Sequence, residues 1–163
     1  MRKDSGTESD KQLRKHLIEL LRGGSAYDKF DDIVRAFSAQ ERGIIPKGAE
    51  HSAWLILDHL VRAFEDINDF SDNADGSYKE KNWPKDYWAK KPLVDWSKSI
   101  KDYKRELKRM ETMVKDPKRD LYEPFPWGSG QTLLREALLA ADHQSQHLGQ
   151  LIELKRWVDA EKK

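Results

Sequence analysis

The sequence predicts an all-α fold, a bundle of four long helices with one extra short helix. Three features predict it. Trp96, Ile100, Tyr103, Leu107, Met110 and Val114 recur at intervals of 4, 3, 4, 3 and 4, which sets them on one stripe of a helix. A second helical pattern runs from about Gln131 to Val158, roughly 40 Å at 1.5 Å per residue. Inside it His143 and His147 stand one turn apart, their imidazoles about 40° apart on one face.

A chain of 163 residues is long enough for one domain with a real core. Charged residues make up 36% of it, yet the net charge is +1 and the signs are interspersed. That balance argues against a nucleic-acid partner. The basic segment Lys98–Arg109 also contains Asp102 and Glu106 and reads as a solvated helix face. There is no cysteine, which excludes disulfides, thiolate ligands and cysteine nucleophiles. No apolar run approaches the ~20 residues that cross a bilayer, and residues 1–10 lack the apolar stretch of a signal peptide. A soluble cytoplasmic protein with no membrane partner is the expectation.

Residues 1–8 are small and polar and are expected to be disordered, leaving 9–160 as a single domain. From Asp10, Leu13, Leu17, Leu20 and Leu21 define a helix that ends at Gly23-Gly24, with His16 at the edge of its stripe. Ser25 is placed to cap a shorter helix carrying Tyr27, Phe30, Ile33, Val34 and Phe37. Residues 41–48, with Gly43, Pro46 and Gly48, form a loop. The next helix spans about Glu50 to Phe70. On it Ser52, Leu55, Ile56, Ala63, Asp66 and Phe70 fall within about 60° of His59, so His59 faces inward, whereas His51 falls about 80° away and is expected to be exposed. Residues 71–92 make a long connection whose Trp83, Tyr87 and Trp88 either plug one end of the bundle or cover a site. The Trp96 stripe then gives a helix that stops before Pro117 and carries no histidine, hence wall rather than ligands. A second loop, 116–130, leads into the last helix. There Glu136, Leu139, Ala140, His147, Gln150, Leu154 and Val158 share the face of His143. Leu134, Leu138, Ala141, Leu148 and Ile152 line a second apolar face, for which the short helix or a second copy of the chain is the expected partner.

Three inward-facing imidazoles, His59, His143 and His147, need polar partners in an apolar core. A divalent metal ion satisfies all three at once and keeps a position open, as in catalytic zinc sites; a core polar network is the alternative. HExxH chemistry is excluded, because Gln144 stands where the glutamate base would be. The inward carboxylates Glu136 and Asp66 are the candidates for a general base or for hydrogen-bond partners of the ligand imidazoles. Gly149, inside the helix, is expected to permit close packing.

Trp54 with His59, then His143, His147, Gly149 and Gln150, together resemble the DinB/YfiT-like family. The likeness extends to Trp83-Pro84-Lys85-Asp86-Tyr87-Trp88 and to Leu134–Leu139 leading into Asp142-His143. It runs from about Leu13 to Trp157. The resemblance implies an up-down-down-up four-helix bundle, with zinc or nickel held by residues that map onto His59, His143 and His147. It implies a homodimer and either metal-dependent hydrolysis or S-transfer from a low-molecular-weight thiol. Many members have arginine where this chain has Leu148, so no role of that arginine carries over. A metal would make a nucleophile of a water or a thiol near neutral pH; with no cysteine in the chain, any thiol is a cosubstrate. The competing reading is a non-catalytic metal-binding or interaction bundle with a stress-related role.

Overall fold

The computed structural model describes residues 7–91 and 94–162. The expected disorder at positions 1–6 lies outside them, while Thr7 and Glu8 already belong to the cap and first turn of a helix. The long helices start alike: α1 (Glu8–Arg22), α3 (Ala53–Ser71), α4 (Trp96–Lys115) and α5 (Leu133–Ala160) each begin after a side chain that accepts a backbone N–H three residues on. Thr7, Ser52, Asp95 and Thr132 are those caps, and each satisfies a donor that the first turn leaves unpaired. The short helix α2 covers Phe30–Arg35. Among the described residues the fold is all-helical, with one isolated bridge between Pro124 and Thr132.

Two sequence expectations fail at the glycine pair. Ser25 caps nothing; Lys29 precedes α2 with no side-chain cap, and Tyr27 lies outside the helix. Gly23 and Gly24 both take positive φ (63° and 82°), and the Tyr27 ring folds back over Gly23 so closely that a Cβ there would lie 2.7 Å from its hydroxyl. The turn consumes the residues that would have extended α2. On α1, Leu20 points to solvent (52% exposed), so the buried stripe is Leu17, Ile18 and Leu21.

The Trp96 stripe behaves as the spacing requires: Trp96, Tyr103, Met110 and Val114 are buried. Phe30, Ile33 and Val34 of α2 join α3 and α5 residues in one apolar cluster that includes Leu148 of the second face of α5. Leu138 on that face stays 45% exposed. The basic face of α4 is tied down by acids of its neighbours. Arg105 pairs with Glu65 at 3.2 Å and Arg109 with Asp69 at 2.6 Å, both across an offset of 40 residues. Arg14 of α1 donates to the carbonyls of Val114 and Asp116 at the C-terminal end of α4, while Arg22, at the other end of α1, pairs with Glu111.

Gln144 is fully buried and joins three helices. Its carbonyl accepts from the Tyr103 hydroxyl at 2.6 Å and its amide donates to the Leu21 carbonyl at 2.5 Å. The residue that breaks the HExxH pattern is a structural tie between α1, α4 and α5.

Candidate metal centre

His59 sits on α3, and His143 and His147 sit one turn apart on α5. Their Nε2 atoms converge: His59 Nε2 lies 3.0 Å from that of His143 and 3.0 Å from that of His147. Nitrogens bound at 2.0–2.1 Å in a tetrahedral shell stand about 3.3 Å apart, so the spacing suits one ion. Within the described residues these are the side chains that could hold a metal as a group of three or more.

The outer nitrogens decide what the inner ones present. His59 Nδ1 lies 3.1 Å from the Tyr87 carbonyl, which only accepts, so Nδ1 carries the hydrogen. His147 Nδ1 donates likewise to Gln150 Oε1 at 2.7 Å. Both Nε2 atoms are therefore lone pairs, and they face each other at 3.0 Å. Two lone pairs at that distance repel, and a shared cation between them removes the repulsion. His143 Nδ1 is buried with no partner among the described residues.

Burial also keeps the imidazoles uncharged. It pushes His59 down to about 3, with the neighbouring histidines adding to the shift, and His143 down to about 4. His147 is lowered by the same cause. The folded values lie below the ordinary histidine value near 6.5, so between about 6.5 and 4 the unfolded chain binds protons that the folded chain does not. Stability is full above that window and falls as the pH drops through it. Thermal melts of EDTA-treated protein between pH 7.5 and 4.5 are expected to show a falling Tm, with a shallower slope for His143→Gln; equal slopes would contradict the assignment.

The aromatic connection contributes a wall of the site. Trp88 stacks on His59 with ring centroids 3.9 Å apart, and His51 stacks on the other face of Trp88 at 3.8 Å. The expectation that His51 is exposed is thus corrected: the helix starts at Ala53, and His51 lies half-buried in the bend that precedes it. Buried Tyr87 serves twice, its carbonyl fixing His59 and its hydroxyl donating to Asp66 at 2.5 Å. Trp83 remains largely exposed.

Asp66 and Glu136 are inward-facing but make no hydrogen bond to any of the three imidazoles. Asp66 accepts from Tyr87, and Glu136, 2% exposed, accepts from Arg135 at 2.6 Å. The groups that orient the histidines are instead Tyr87, Trp88 and Gln150. Gln150 was legible as a neighbour of His143 on the helix face; a backbone carbonyl carries no sequence signal. His16 is exposed on α1 and outside the cluster.

A family model of the DinB superfamily matches residues 12–151. The chain belongs to the DinB superfamily. No curated protein and no solved structure gives a match. The DinB chain carries one further departure from expectation at the site. A Cβ on Gly149 would meet nothing within 4 Å, so close packing is not what places glycine there. The residue borders a cavity of about 440 Å³ that also touches His51, Gln150, Leu154 and Trp157. Gly149→Ala is expected to stabilise the helix by about 1 kcal/mol in urea denaturation; a loss of stability would show that the open space is not there.

Proposed function

We propose that this DinB protein is a metal-dependent enzyme in which His59, His143 and His147 hold a divalent ion, zinc or nickel, through Nε2. The observation that carries the reading is the pair of lone-pair nitrogens of His59 and His147 at 3.0 Å, each fixed by a donor bond on the far side of its ring. When bound, such an ion supplies Lewis acidity that lets a thiol or a water reach its anionic form near neutral pH. The chain supplies rigid orientation: the Tyr87 carbonyl and Trp88 hold His59, and Gln150 holds His147.

Between hydrolysis and S-transfer, the second fits the surroundings better. Hydrolysis calls for a proton donor to the leaving group, and the nearby carboxylates of Asp66 and Glu136 are turned to Tyr87 and Arg135. Displacement of chloride from an activated arene by a thiol needs none: the carbon–sulfur bond forms, chloride leaves and the S–H proton goes to solvent. The cavity beside Gly149, with Ile56, Leu154 and Trp157 in its wall, offers an apolar seat for such an electrophile. Asp66 acts here through Tyr87 as a positioning residue, and Glu136 stands further off. The test is a panel of low-molecular-weight thiols with a chlorinated nitroarene, run on metal-loaded protein. Turnover that disappears in His147→Ala supports the reading. No turnover with any thiol or ester moves the protein to the second reading, a non-catalytic metal-binding bundle with a stress-related role, which the burial of His59 and His147 beneath Trp88 favours.

The same reading includes an up-down-down-up order of α1, α3, α4 and α5. The constant 40-residue offset of the α3–α4 ion pairs supports a parallel pair, and the Arg14 and Arg22 contacts support an antiparallel α1–α4 pair. The uncovered Leu138 on α5 supports a homodimer, which sedimentation equilibrium tests directly.

A further inference from the structure

Two helical turns from the histidines, a second cavity of about 530 Å³ opens between the start of α5 and the end of α3. None of the three imidazoles lines it. Its walls include three aromatic side chains, Phe70, Tyr78 and Trp127, and three carboxylates, Asp66, Glu80 and Glu136. Phe70 and Tyr78 meet edge to face at 5.4 Å, and the Trp127 indole N–H is anchored on the Phe70 carbonyl at 2.8 Å. Gly128 leaves room for the Phe70 ring, whose edge would be 3.2 Å from a Cβ at that position. The aromatic wall is therefore held from within the fold.

The carboxylates are the costly part of this cavity. The Glu136 side chain is only 3% exposed; one oxygen accepts from Arg135, and the other takes no hydrogen bond among the described residues. On Asp66, Oδ2 accepts from the Tyr87 hydroxyl and the Tyr78 hydroxyl also lies against the carboxylate, while Oδ1 is buried without a hydrogen bond of its own. Lys81 stands 3.8 Å from Oδ1, beyond hydrogen-bonding distance. Burial raises the Glu136 carboxyl above its ordinary range; the hydrogen bond and charge of Arg135 oppose the rise, and the charge on Asp66 adds a smaller one. These two carboxyl groups are retained in one cavity, where Asp66 Oδ1 has no hydrogen bond and one Glu136 oxygen is held by Arg135. Arg135, which is more than half exposed, screens only one of the four oxygens.

We propose that this cavity binds a small ligand bearing a primary ammonium group on an apolar body. The free oxygens of Asp66 and Glu136 need N–H donors, which a primary ammonium offers and a quaternary one lacks. The faces of Phe70, Tyr78 and Trp127 attract the positive charge and cover the apolar remainder. No residue of the histidine cluster lines the cavity; Asp66 joins the two sites through Tyr87.

The experiment is a 1H–15N NMR titration of EDTA-treated full-length protein with benzylammonium, and in parallel with neutral benzyl alcohol and with benzyltrimethylammonium. Benzylammonium is expected to bind with Kd on the order of 1 mM and to shift the Trp127 indole and the Gly128 and Arg135 amides. Binding is expected to weaken about tenfold in Glu136→Gln, which removes the charge and keeps the shape. Should that variant fail to fold, the ligand series on the unchanged chain decides alone. Benzyl alcohol or the trimethylated amine binding as well as benzylammonium would overturn the proposal, as would shifts confined to other parts of the chain. Metal content, measured on untreated protein, reports separately on the histidine site.

Discussion

Gln144→Glu is expected to destabilise the chain by about 3 kcal/mol at pH 7 and to create no protease. The substitution writes HExxH into α5, yet position 144 faces Tyr103 and the Leu21 carbonyl in the core, not the imidazole cluster. A protonated glutamate can keep both hydrogen bonds, accepting from the tyrosine and donating to the carbonyl. An ionised one cannot donate, and it has no cation beside it. The side chain is therefore held neutral, with a folded-state pKa well above the unfolded value near 4.3. A group raised in this way contributes full stability below its unfolded pKa and loses it as the pH rises toward the folded value. Relative to the unchanged chain at the same pH, the variant is expected to be nearly equal at about pH 4.5 and weaker by about 1.4 kcal/mol per pH unit above it. Urea denaturation at pH 5 and pH 7.5 measures the difference. Equal stability at both values would mean that Gln144 is not sealed in the core.

His59→Ala is the second large effect. The imidazole is 1% exposed, stacked on Trp88 and fixed by Tyr87, so it offers its Nε2 without any loss of side-chain freedom. Removing a residue that merely orients a ligand costs about 10–100-fold in metal affinity, and removing a ligand costs more than that. His59→Ala is therefore expected to lower zinc or nickel affinity by more than about 100-fold, and Gln150→Leu by about tenfold. Competition titration with a chromogenic chelator separates the two. Equal, small losses in both variants would make His59 a bystander.

The helices and the histidine trio were legible because their signals are periodic. The Trp96 stripe and the face shared by His143 and His147 follow from 3.6 residues per turn alone. The second apolar face of α5 is equally clear, and its Leu148 belongs to the apolar cluster that α2 shares. What escaped the sequence lies in the connections. The cap of α2 was misplaced because Gly23 and Gly24 prolong the turn past Ser25. Helical periodicity places His51 on α3, whereas it precedes the helix and stacks on Trp88. Tyr87 holds His59 by a backbone carbonyl, a contact that any residue type could make. A helical wheel turns Asp66 and Glu136 inward, but it gives the angle around the axis and not the partner across it. In the fold they face a separate cavity with Tyr78 and Trp127.

The central claim is that His59, His143 and His147 form one metal site. Elemental analysis of protein purified without a histidine tag tests it most directly, alongside His143→Ala prepared in the same way. The account predicts about one equivalent of zinc or nickel per chain in the unchanged protein, and a fall below about 0.2 equivalents together with a lower Tm in the variant. Less than about 0.2 equivalents in the unchanged protein, with the Tm unmoved by His143→Ala, would contradict it.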